Sequence, residues 1–203
     1  MMRRISSLSA AVGCVLLPFL IGTPRSFAVA ASDSVVKTHI DDPGHLLGSD
    51  ASWTADKETL LNSFEAQSGI RVLFQVHPKS PSADEDKKPG DYMRGLSARL
   101  GTLEHGVLVV FFADDPDWRI WVGNQLTPVF VGKAGDAAHF TESGEMHNAK
   151  EAFFAATLGK ADAAFAALQK SGAANASASL HLKMQADALL GGLVQKLAKK
   201  QAN

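Results

Sequence analysis

Three carboxylates stand within four positions at Asp114-Asp115-Pro116-Asp117. Like charges this close repel one another, and a hard cation such as Ca²⁺ or Mg²⁺ would relieve the repulsion through oxygen ligands. The same four residues are also good turn chemistry, because Asp and Pro start and fix tight turns. Both readings stand. Position gives the first its interest: the run Gly106-Val107-Leu108-Val109-Val110-Phe111-Phe112 just upstream is a strand. In open α/β sheets, ligands gather outside the carboxyl ends of the strands.

Other chemistry-bearing residues carry less. His139, Glu142, Glu145 and His147 could ligate a metal by type, but Ser143-Gly144 interrupts any common helical face. They read as a solvated lead-in to a helix rather than a zinc site. His77 closes one strand and His105 precedes the next. If those strands are parallel, the two imidazoles lie at opposite ends of the sheet and form no pair. Trp118 and Trp121 bracket Arg119 and fall on opposite faces of a strand. Core packing accounts for at least one of them, and a partner surface could use the other. No nucleophile elbow, H-E-x-x-H helix, P-loop or dinucleotide glycine fingerprint is present.

The elements that must place these residues emerge from periodicity. Thr54 is a helix N-cap with Asp56 and Glu58 in the first turn; Leu60, Leu61 and Phe64 share a face, and Gly69 closes the helix. Ile70–His77 is a mostly buried strand, and 78–90 a mobile polar loop. Asp91–Leu100 is a second helix. The run 106–112 is apolar at every residue after its glycine, as a central strand covered on both faces would be. The short link to Trp118–Gly123 implies an antiparallel hairpin. Met146–Leu168 reads as two helices anchored by Phe153, Phe154, Phe165 and Leu168. The order predicts a three-layer α/β/α sandwich with a mixed, mostly parallel sheet.

The ends of the chain add compartment. Arg3 and Arg4 precede an uncharged apolar stretch, and Ala28-Val29-Ala30 is a small-x-small cleavage pattern. Residues 1–30 therefore read as a secretory signal, so the working protein is periplasmic or secreted. Pro18 and three serines argue against a membrane anchor, and Ala11 with a late apolar peak argues against acylation of Cys14. Cleavage removes the only cysteine and Arg3, Arg4 and Arg25. The balance then moves from 20 basic and 21 acidic residues to 17 and 21, a formal charge of −4. No basic footprint for nucleic acid remains, nor any thiol for disulfides or catalysis. A single domain over 31–170 is expected to fold without the C-terminal helix. Residues 171–179 read as a flexible linker, and 180–203 as an amphipathic helix for a partner or membrane surface. Lys183 and Asp187 keep that helix from spanning a bilayer, at about 2.5–3.5 kcal/mol for each central charge. Lys196, Lys199 and Lys200 would favour an anionic surface.

Residues 35–170 resemble the TPM domain, found in exported bacterial proteins and the thylakoid lumen. The likeness lies in ordered fragments: Ile40-Asp41-Asp42-Pro43-Gly44-His45-Leu46-Leu47, Phe64–Ile70 with Val72-Leu73-Phe74, Tyr92 with Leu96 and Leu100-Gly101, Gly106–Val110, and Arg119-Ile120-Trp121-Val122-Gly123. Pro116-Asp117 and Gln125-Leu126-Thr127 depart from the family's usual Asp-Arg and Gly-Leu-Glu. The resemblance implies an accessory factor for assembly, repair or quality control of another envelope or membrane protein. Phosphatase activity has been ascribed to some members, so a metal-assisted phosphatase is the alternative. It also implies that Asp41 and Asp42 lie across the sheet edge that holds Asp114, Asp115 and Asp117, where the five could bind Ca²⁺ or Mg²⁺. No organic cofactor is expected.

Overall fold

The computed structural model describes residues 38–172 and 176–198. The export segment 1–30 with its cleavage point, as well as Lys199 and Lys200, lies outside the described residues. In chain order the elements are β1 (Ile40–Asp41), α1 (Ala51–Ser68), β2 (Arg71–His77), α2 (Asp91–Arg99), β3 (Gly106–Phe112) and β4 (Asp117–Val122). A single 3₁₀ turn, Asn124–Leu126, then leads into α3 (Thr127–Val131), α4 (Ala137–Glu142), α5 (Glu145–Lys170) and α6 (Ala178–Ala198).

The fold is α/β, with one four-stranded sheet ordered β1-β2-β3-β4. β1, β2 and β3 run parallel, and β4 returns antiparallel to β3 across the short acidic turn. One face of the sheet, through Phe74, Val76, Val109 and Ile120, packs against α1, α3, α4, α5 and α6. The other face, through Leu73, Leu108, Val110 and Phe112, meets only Met93 and Leu96 of α2 as buried helix residues. Helices therefore flank both faces, but very unequally.

Several boundaries differ from the sequence expectation. Helix α1 starts a turn earlier, because Asp50 rather than Thr54 caps it, accepting the Ser52 N–H at 3.1 Å. That brings Trp53 inside the helix, where its indole N–H donates to Asp187 of α6 at 3.1 Å. The two helices expected over 146–168 are one, Glu145–Lys170, running through Gly159. A glycine costs about 1 kcal/mol in a helix interior, and packing against α6 outweighs it. Helix α6 is not set apart from the domain. Leu182, Ala186, Leu189, Leu190, Leu193 and Leu197 are buried in the same core as α1 and the sheet. The link from α5 to α6 is the segment 171–177, of which 173–175 lie outside the described residues. Among the described residues no helix is long and apolar enough to cross a membrane.

The α5–α6 pair is antiparallel: Phe165 stacks on His181 with ring centroids 4.2 Å apart, and Gly192 lies beside Phe153 and Thr157. A Cβ on Gly192 would sit 2.9 Å from the Thr157 methyl. The helices can approach this closely only because that side chain is missing.

Candidate functional site

Alternation along the strands decides what faces α2. Asp41 pairs with Gln75, His77 with Phe112, Phe112 with Asp117, and Val110 with Arg119. These positions share the thinly covered face. The result is a polar row at the carboxyl ends of the parallel strands, which the apolar look of β2 did not announce.

A directed hydrogen-bond chain runs along it. Gln75 Nε2 donates to Asp41 Oδ2 at 3.4 Å, which leaves Gln75 Oε1 as an acceptor 3.1 Å from His77 Nε2. That assigns the proton to His77 Nε2 and makes Nδ1 the acceptor for the Tyr92 hydroxyl, 3.3 Å away. Burial holds the His77 imidazole below its usual range, against the pull of the Asp41 charge. Burial, and next the Glu85 charge, pushes the Tyr92 phenol up. A neutral imidazole and a neutral phenol are what this chain needs. Neither is an activated nucleophile.

Further along the row, Arg119 Nε donates to Asp117 and a terminal nitrogen to Asp86, both at 2.7 Å. Burial works against the guanidinium charge, but Asp117 and then Asp86 hold it firmly protonated. Asp86 also accepts the Tyr92 N–H at 3.2 Å. Asp114 Oδ1 accepts from the Ser80 N–H and hydroxyl, each at 2.8 Å, and the Ser80 hydroxyl bond leads in holding its carboxyl below the usual range. The segment 78–90, expected as a mobile loop, is thus fastened at both Ser80 and Asp86.

The five carboxylates singled out for Ca²⁺ or Mg²⁺ each have a place in this network or beside it. Asp41 joins the Gln75 chain, and Asp42 accepts the N–H groups of Leu46 and Leu47 at 3.0 and 2.7 Å. Asp114 holds Ser80, Asp117 holds Arg119, and Asp115 is exposed in the turn. Among the described residues, no group of three or more His, Cys, Asp or Glu side chains is placed to hold a metal. His139, Glu142, Glu145 and His147 are split by Gly144, at φ 75°, between α4 and α5, and Glu145 pairs with Lys133 at 2.7 Å. His77 and His105 lie toward opposite ends of the parallel strands, as the pattern implied.

An opening lies beside β4. A groove of about 1220 Å³ runs along this edge strand, between Gly90, Met93 and Arg94 on one wall and Ala138, Thr141 and Lys150 on the other. Gly123 N–H donates to Gly106 O at 2.8 Å, so that pair is hydrogen-bonded. Bonded and non-bonded pairs alternate in an antiparallel ladder. Trp121, Arg119 and Asp117 therefore bond to β3, while Trp118, Ile120 and Val122 turn their N–H and C=O groups outward. No strand lies beyond β4 among the described residues. Trp118 belongs to the core, stacked on Phe74 at 5.6 Å with its N–H to Gln185. Trp121 lines the groove, with Arg94 and Lys150 each 5.9 Å from its ring centre. The sequence left one of the two tryptophans open to a partner surface and favoured core packing; Trp121 packs against the α2-side core with its indole N–H on Leu103 O at 3.3 Å, and Arg94 and Lys150 had no sequence signal beyond their charge. No family model matches this chain, and a search of curated proteins returned no match.

Proposed function

We propose that this chain is an exported, TPM-like accessory factor that docks a segment of another envelope or membrane protein along β4, without turnover of its own. One observation supports the reading: among the described residues no strand pairs with the outer edge of β4, which borders a groove of about 1220 Å³. Small-molecule pockets run to about 300–1,000 Å³, so the opening suits an extended polymer better than a compact metabolite. The polar row beside it supplies order rather than chemistry. Phosphoester hydrolysis would need a nucleophile or metal-bound hydroxide and positive charge held for the phosphate. Arg119 is already committed to Asp86 and Asp117, and Asp114 Oδ1 to Ser80.

The test is site-specific photocrosslinking in cells that export the protein. A photoreactive side chain at Thr141, on the groove wall, should give a discrete protein adduct. The same group at the exposed Ala163, on the far part of α5, should give none. Equal labelling from both positions would remove the docking reading. Hydrolysis of p-nitrophenyl phosphate above a heat-treated control, lost in Asp114→Ala, would replace it with the phosphatase.

A further inference from the structure

We propose that the β4 groove takes an extended segment of a partner polypeptide that adds as a fifth strand and sets one carboxylate between Arg94 and Lys150 beside Trp121. This rests on the docking reading above and specifies the guest.

The backbone of β4 supplies the first set of contacts. Trp118, Ile120 and Val122 turn N–H and C=O groups away from β3 in a two-residue repeat; Ile120 and Val122 are buried, so an added strand pairs with them by displacing the groove side chains that cover this edge. Strand addition gives affinity from main-chain hydrogen bonds and specificity from whatever flanks alternate side chains.

The second set is charge. Arg94 and Lys150 converge on Trp121, and among the described residues neither forms an ion pair. Burial holds the Lys150 ammonium below its usual range. A guest carboxylate placed here would be charge-assisted on two sides in a partly desolvated site. Only one is selected. The next residue on the same guest face falls beside Arg119, whose charge Asp86 and Asp117 already answer. The rim carries Asp91, Glu142 and Glu151, all exposed, which repel a polyacidic tract.

A rival use of Lys150 is as a guard, since a lysine beside an open edge discourages self-pairing. One experiment separates the two. Phage-displayed random peptides of about nine residues, a strand's length, are selected on the purified chain in two libraries, one with buried and one with free C-termini. Hydrogen exchange then follows the amides of Trp118, Ile120 and Val122. Selected peptides should protect those amides and share a single Asp or Glu within β-branched residues. Changing that acid to its amide should weaken binding about tenfold, the scale of a lost charge-assisted bond. Lys150→Gln with Arg94→Gln should abolish the difference. Enrichment from the free-terminus library alone would identify the carboxylate as a chain end, which is the same chemistry. Peptides that protect β4 but bind equally as acid and amide would leave docking intact and overturn the carboxylate. No enrichment, or no protection at β4, would overturn both. Self-association of the Lys150→Gln chain in the absence of peptide would assign Lys150 to guarding and sink its role here.

Discussion

At the scale of single residues, the sheet's polar row works through protonation states that are set by neighbours. His77 is neutral because it is partly buried and because its two nitrogens face one acceptor and one donor. An imidazole whose folded pKa is depressed contributes stability that is complete above its unfolded value, about 6.5, and is lost as pH falls through that value to the folded one. We therefore expect the wild type to lose stability relative to His77→Gln as pH drops below about 6.5. Urea unfolding across that range measures it. A pH-independent difference would mean that His77 does not keep its proton balance through this chain. Arg119 makes a second residue-scale case. Arg119→Gln removes the charged partner of Asp86, which is only 17 % exposed and keeps just the Tyr92 N–H, and should cost about 1–3 kcal/mol. It should also speed proteolytic cutting within 78–90; unchanged cutting would show that the segment is held elsewhere. Much of this was beyond the sequence. Asp114 and Arg119 stand out by type, but Gln75 sits among apolar neighbours and Tyr92 at a helix start. Only the register of β1 on β2, with α2 packed beside His77, reveals that they share a chain.

Elements were legible where periodicity is long and dark where contacts are distant. β2, α2, β3 and the β3–β4 hairpin could be read from apolar runs and a short turn. β1 has only two residues, too few to show any period, and it exists because β2 offers it a parallel edge. Its approach is fixed by His39, whose ring nitrogens lie 3.1 and 2.7 Å from Glu58 and Glu65 of α1. α6 showed its apolar stripe plainly, yet nothing local says what a stripe packs on. The helix pair α5–α6 offers a sharp check of that packing. A Cβ at Gly191 meets nothing within 4 Å, whereas one at Gly192 meets Thr157, whose hydroxyl is tied to Phe153 O at 2.8 Å. Gly191→Ala should stabilise the chain by up to about 1 kcal/mol through helix propensity. Gly192→Ala should destabilise it, because Thr157 is not free to move aside. Thermal melts of the two variants decide the matter, and shifts of the same sign would contradict this packing.

For the molecule as a whole, the distribution of core matters more than its size. Burying one leucine side chain contributes about 1.5–3 kcal/mol, and α6 buries five leucines with Ala186. That is comparable with the entire net stability of a domain, about 5–15 kcal/mol. A chain cut after Ser171 should therefore lose its cooperative melt. A sharp transition from that truncated chain would show that 38–170 is self-sufficient after all. The sheet itself has a further consequence, in terms of growth. Indefinite addition of strands needs a donor edge and an acceptor edge on every copy. Here β4 offers six residues, but the strand at the opposite margin, β1, has two. A second copy could meet the first only β4 to β4, which closes on itself, and a guest strand would use up the same edge. Among the described residues the sheet therefore has one long edge for an added strand and no second long edge from which to grow.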